Sequence, residues 1–290
     1  MTEETPPPPT GQSIELHPLI RRVLAPNPSP FTYTGTQTYI VGTGEVAVID
    51  PGPAEQTHLD AILGATEGET IRYIVCTHTH RDHSPAAAPL KDATGAEIAG
   101  CAALVLEDSG PRADSAFDES YTPDRVLKDG ETLNGDGWTL ETVATPGHTS
   151  NHLCYALPEA GALFTGDHIM GWSTTVVAPP DGDMAAYMAS LEKLLERDFD
   201  AYYPAHGEPV DRPKRYTRGL IGHRKQREGQ ILRAIDEEVR VIPDMVAKMY
   251  KGIDPRLHGA AGRSVLSHLI DLERRGIVSR DGERWERIAA

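Results

Sequence analysis

The sequence has no apolar run approaching the roughly 18 residues that a bilayer-spanning helix needs, so a transmembrane helix is not expected. Cysteine is scarce. Cys76, Cys101 and Cys154 form no CxxC pair, which argues against a disulfide framework and suits a reducing, cytoplasmic setting. All three read as small buried hydrophobes. Positive charge is scarce over most of the chain: residues 1–213 hold 11 Lys and Arg against 32 Asp and Glu. Such a surface repels polyanions at long range. The opening MTEETPPPPTG has neither a basic stretch nor an apolar core, so no secretory signal is expected. Residues 1–12 read as a flexible arm.

The balance reverses beyond residue 213, where residues 214–290 hold 17 Lys and Arg against 11 Asp and Glu. A break of this kind predicts two units, residues 13–213 and 214–290. In the first, β-rich runs at 38–41, 46–49, 71–76, 96–99, 139–144, 152–157 and 162–165 alternate with helical patterns at about 55–65, from 85 onward with Ser84 as N-cap, and at 184–197. Strands alternating with helices indicate an α/β layout. In the second, apolar faces on 217–238, 244–250 and 263–275 precede a hairpin with Asp281-Gly282 at its turn. Three helices and a hairpin is a winged-helix arrangement.

Residues 77–84, Thr-His-Thr-His-Arg-Asp-His-Ser, follow the apolar strand 71–76. A metal ion is the simplest reason to crowd imidazoles. His78 and His80, two apart on an extended segment, point to one side. Asp82 and His83 sit where the chain turns toward a helix and face a second position. Histidine with carboxylate suits borderline divalent ions, zinc foremost. Three later turns supply further donors beside glycine: His148 in Thr-Pro-Gly-His-Thr, Asp167 in Thr-Gly-Asp-His, and His206 in Pro-Ala-His-Gly. His17, His58, His223, His258 and His268 lie outside any motif and read as surface or core residues. His152 and His168 neighbour the donors, with packing the commoner role and substrate or proton handling the alternative.

The order HxHxDH, Gly-His, Gly-Asp, His-Gly resembles the metallo-β-lactamase superfamily over about residues 15–210. The resemblance implies a four-layer αβ/βα sandwich with two divalent ions, zinc by default. It implies that His78, His80 and His148 hold one ion and that Asp82, His83 and His206 hold the other, with Asp167 bridging. Asp50, in Val-Ile-Asp-Pro-Gly, resembles the carboxylate that orients a ligand histidine; the alternative is a turn-capping aspartate.

Two ions sharing a carboxylate lower the pKa of a shared water from about 15.7 toward roughly 7. The expected reaction is hydrolysis by a metal-bridging hydroxide, with Asp82 and Asp167 as the catalytic carboxylates. Segments 170–184, 222–224 and 227–228 resemble the lactamase-β-like hydrolase and endoribonuclease subfamily, which carries a C-terminal winged-helix-like extension. That resemblance favours a phosphodiester in single-stranded RNA as substrate. The competing reading is a small amide or ester, β-lactams included, and the acidic charge of residues 1–213 supports it. A third reading is a nucleic-acid-binding regulator with a vestigial metal site. Trp172 either stacks on a base or ring in the cleft or packs in the core, and His168 is a second candidate for the cleft. The acidic stretch 107–119 disfavours RNA if it overhangs the cleft. The extension completes the cleft or forms a homodimer surface.

Overall fold

The computed structural model describes residues 9–104, 117–252, 254 and 257–288. Most of the expected arm and most of the acidic stretch 107–119 therefore lie outside the described residues. The chain divides into two compact units. One runs to Ala144 and adds Asn151–Ser173 and Phe199–Pro213; the other joins Thr145–Ser150, Thr174–Asp198 and Lys214 onward.

The first unit holds two mixed sheets. The seven-stranded sheet runs in chain order: β1 (Ser13–His17), β2 (Ile20–Leu24), β3 (Gln37–Thr43), β4 (Glu45–Ile49), β5 (Thr70–Cys76), β6 (Glu97–Gly100) and β7 (Arg125–Val126). Its first four strands pair antiparallel; from β4 onward the pairs are parallel. Parallel neighbours need crossovers; α1 (Gln56–Ala65) supplies the one between β4 and β5 and α2 (Ala87–Thr94) the one between β5 and β6. The second sheet contains β8 (Thr132–Gly135), β9 (Trp138–Ala144), β10 (Leu153–Leu157), β11 (Ala162–Gly166) and β12 (Ala201–Pro204). Its strand order is β12-β11-β10-β9-β8, with only β11 and β12 parallel.

The inner faces of the two sheets share one apolar core. Tyr39 of β3 tilts against Phe164 of β11 at 5.1 Å, and Tyr73 of β5 meets Trp138 of β9 edge-on at 6.3 Å. Burying each such side chain contributes roughly 1.5–3 kcal/mol. Their polar tips are satisfied across the interface. Trp138 Nε1 donates to Glu45 O (2.8 Å), Tyr155 Oη to Cys76 O (2.7 Å) and Tyr39 Oη to Pro204 O (2.7 Å).

In the second unit, α3 (Met184–Leu195) starts at Asp183, whose carboxylate caps Ala186 N at 2.9 Å. The C-terminal part is α4 (Pro213–Asp236), α5 (Ile242–Met249), α6 (His258–Arg274) and a hairpin of β13 (Val278–Asp281) and β14 (Arg284–Arg287). A separate core, with Ile231, Met245, Leu269, Val278 and Trp285, joins the three helices to the hairpin. Pro213 opens α4 four residues before the expected start, as its missing N–H allows.

One local expectation fails. Ser84 does not cap α2, which begins at Ala87 with no side-chain cap. Its hydroxyl donates to Asp118 Oδ2 at 2.8 Å instead. Among the described residues, no helix is long and apolar enough to cross a membrane.

Candidate metal centre

Parallel pairing of β4 with β5 places Asp50, the residue after β4, beside Thr77, the residue after β5. Asp50 has φ +48°, a left-handed conformation that costs a non-glycine residue on the order of 1–3 kcal/mol. Its buried carboxylate recovers three hydrogen bonds, from Thr77 N (2.7 Å), Thr77 Oγ1 (2.8 Å) and His83 Nδ1 (3.0 Å). The loop after β5 folds back on itself through His83 N to His80 O (2.9 Å) and Ser84 N to His80 O (3.2 Å).

These bonds select histidine tautomers. Thr77 Oγ1 gives its only proton to Asp50, so it accepts from His78 Nδ1 at 3.0 Å. His83 Nδ1 is committed to Asp50, His206 Nδ1 to Gly35 O (3.2 Å) and His148 Nδ1 to Val176 O (2.7 Å). In all four rings Nδ1 is committed to its partner, so Nε2 is the nitrogen that can face the donor groups, where His78 Nε2 lies 2.9 Å from His80 Nδ1.

Two groups of donors result. Within the first unit, His78, His80 and Asp167 offer ligand atoms that lie within 4.8 Å of one another, as do Asp82, His83 and His206. Asp167 Oδ1 is 3.2 Å from His206 Nε2 and 3.6 Å from His83 Nε2, so it adjoins both groups. Asp82 Oδ2 is 3.1 Å from His206 Nε2 and 3.4 Å from His83 Nε2. His83 Nε2 is buried and makes no hydrogen bond. An unsatisfied buried polar atom costs about 1–3 kcal/mol, and a divalent ion among these carboxylates and imidazoles would satisfy it. The donor set fits such ions.

Residues 32–206 match the model of the metallo-beta-lactamase superfamily. The chain belongs to that superfamily. Residues 242–285 match the beta-lactamase associated winged helix domain. A beta-lactamase-like protein 2 homolog of Caenorhabditis elegans is 32% identical over 265 residues, which cover 89% of this chain and 85% of that protein. An atrochrysone carboxyl ACP thioesterase of Paecilomyces divaricatus is 33% identical, covering 79% of this chain and 68% of its own length. In fold, the chain resembles a metallo-beta-lactamase family protein from Thermus thermophilus, with TM-score 0.76 at 20% identity, over 94% of this chain and all of the other.

The chain is thus a metallo-β-lactamase-superfamily hydrolase, which sets aside the reading as a regulator with a vestigial site. In this hydrolase, electrostatics binds the second donor group together. Burial opposes charge on Asp82, but the His83 and His206 imidazoles hold its carboxyl well below the usual range. Burial likewise opposes protonation of His83, yet Asp82, Asp167 and Asp50 push it well above the usual imidazole range. His206 is raised against burial by Asp167 and Asp82.

His152, expected to neighbour the donors, does so, and the site has further residues that the sequence did not mark. His152 Nε2 accepts from Asp167 N at 3.2 Å, and Phe117 lies 4.8 Å from the His80 ring. Val176 and Gly35 act through backbone carbonyls, for which no side-chain signal exists. His168 is fully buried, its ring 6.0 Å from that of His152, so it presents no surface to a substrate. Trp172 is 38% exposed and stacks on Tyr33, with ring centroids 4.9 Å apart.

Proposed function

We propose that the chain is a cytoplasmic, two-metal hydrolase of small acyl esters, thioesters or amides, with zinc as the default ion. His78, His80 and His148 would hold one ion, Asp82, His83 and His206 would hold the other, and Asp167 would serve both. When bound, the pair supplies an activated water at neutral pH and stabilises negative charge developing on the carbonyl oxygen. The chain's own residues orient this chemistry. Asp50 fixes His83, Thr77 fixes His78, and His152 holds the backbone that carries Asp167. Asp82 would take a proton from water as the water oxygen bonds to the acyl carbon, and return it to the departing heteroatom as the acyl–heteroatom bond breaks, giving a carboxylic acid and a thiol, alcohol or amine. The three free, buried cysteines suit a reducing compartment.

The observation that carries the substrate class is charge. Residues 1–213 have 21 more acidic than basic residues. Several of the few cations are already committed: Arg21 to Glu69, Arg72 to Glu45, and Lys91 to Asp124. A polyanion has little to bind there, whereas a neutral acyl group meets no such penalty. The relative that is named a thioesterase supports the same class. Single-stranded RNA is the second reading. It draws on the subfamily resemblance and on the 17 Lys and Arg of residues 214–290.

The test compares an acyl thioester, an aryl ester, nitrocefin and single-stranded RNA on one metal-analysed sample at low and high salt. Thioester or ester turnover with a salt-insensitive KM is expected. RNA cleavage whose log affinity falls by about 0.7 per contacted phosphate for each log unit of salt would instead establish the second reading.

A further inference from the structure

Among the described residues, Phe31, Tyr33 and Trp172 are the aromatics most open to solvent, 55%, 48% and 38% exposed. Tyr33 and Trp172 are stacked, 12° from parallel, so they form one two-ring slab. Both stretches of chain that carry the slab are fastened to the same residue. Gly171, before Trp172, donates its N–H to His206 O at 2.8 Å. Gly35, two residues after Tyr33, accepts from His206 Nδ1 at 3.2 Å. The slab is thereby tied on two sides to a residue that belongs to the second donor group.

The segment that carries Tyr33 is braced internally. Asn27 Oδ1 accepts from Thr36 N (2.8 Å), Thr32 Oγ1 donates to Asn27 O (2.6 Å), and Tyr33 N donates to Ser29 O (2.9 Å). Tyr33 itself is held at φ +57°, a conformation rare for a bulky side chain. On the other side, Gly171 and Gly207 form a β-bridge, and a Cβ on Gly171 would overlap the Glu208 backbone. A strained backbone that keeps an aromatic side chain in water, at a place where its neighbours leave no slack, is a mark of pre-organisation for a ligand.

We propose that Tyr33 and Trp172 form an acyl subsite that takes a flat aromatic ring. The proposal rests on the acyl-hydrolase reading above and names the part of the substrate that is recognised. Aromatic rings stack offset on such a surface and gain beyond simple area burial. A nucleobase would stack as well, but the cation beside the slab, the buried Arg22, is already paired at 3.4 Å with Glu208, whose side chain is 59% exposed, so it is not free to meet phosphates. The charge beside the slab therefore favours an aryl acyl group over RNA.

Trp172 is the exposed member of only three tryptophans, since Trp138 and Trp285 are buried. Its fluorescence reports binding without turnover. Titration with 1-naphthoate should quench wild-type emission saturably, and Trp172→Phe should abolish that component. In parallel, the kcat/KM ratio for benzoyl over hexanoyl thioesters of N-acetylcysteamine should fall roughly three- to tenfold in Trp172→Ala and Tyr33→Ala at unchanged metal content, and Trp172→Phe should restore most of it. No saturable quenching, or quenching that persists in Trp172→Phe, would overturn the subsite. So would an unchanged ratio in both alanine variants, or tighter quenching by oligouridylate than by naphthoate at physiological salt. If neither thioester is cleaved, the acyl-hydrolase reading falls, and the quenching alone decides the subsite.

Discussion

His83 Nδ1 donates to Asp50 Oδ2 at 3.0 Å, and the same carboxylate takes the Thr77 amide and hydroxyl. One side chain at the end of β4 thus sets both the ring of a donor histidine and the start of the donor loop. Asp50→Ala should weaken metal binding by about 10–100-fold. Asp167→Ala should cost more in both metal content and activity, because it removes a donor that adjoins both groups. Competitive chelator titrations with elemental analysis measure the first effect. Equal losses for the two variants would mean that the roles are misassigned.

Metal loading should release protons. Without an ion, Asp82, Asp167 and Asp50 raise His83 against the effect of burial, and Asp167 and Asp82 raise His206. An ion must displace those protons, so affinity should fall as pH drops below neutrality. Calorimetry in buffers of different ionisation enthalpy counts the protons released. The same sample should take up two ions per chain, and a plateau at one would contradict the paired donor groups.

Gly147 has φ +141°, and a Cβ there would overlap the backbone of Tyr187. Gly147→Ala should therefore destabilise the fold by about 2 kcal/mol or more through strain and disturb the adjacent His148. Urea denaturation of the variant and its metal content measure the two effects separately.

His268 is buried on α6, and burial, then Arg224, His223, Arg275 and Arg227, push its pKa down to about 3. It is neutral in the folded chain and titrates near 6.5 when unfolded. Its contribution to stability is complete above about pH 6.5 and is lost as pH falls from there toward 3, with a slope of at most about 1.4 kcal/mol per pH unit. His268→Gln should flatten the decline in stability between pH 7 and pH 5. His58 and His223, each pushed down to about 4 chiefly by burial, leave part of the slope in place.

The donors were legible because each sits where an apolar strand runs out into a polar or glycine-bearing turn, and HxHxDH has few other physical uses. The winged-helix unit was legible from helical spacing and the Asp281-Gly282 turn. Other features were hidden. β7 has two residues, too short for periodicity to register, and β8 and β12, four residues each, end on glycine and proline. Ser84 has the composition of an N-cap, but Asp118, 34 residues away, claims its hydroxyl. Asp50 is an ordinary turn residue until the parallel pairing of β4 and β5 brings Thr77 and His83 to it. Tyr33 carries no local signal at all, because its role depends on a tryptophan 139 positions later.

The parallel pairing of β11 with β12 gives the site an order of assembly. A chain extended only through Asp167 already carries every donor of the first group, but only Asp82 and His83 of the second. His206 arrives after α3 and is brought in as β12 pairs with β11. Filling of the second donor group should therefore require that the edge of the five-stranded sheet is complete. A molecule with a misplaced final strand would retain a single ion, so metal stoichiometry doubles as a gauge of whether the last strand has found its place.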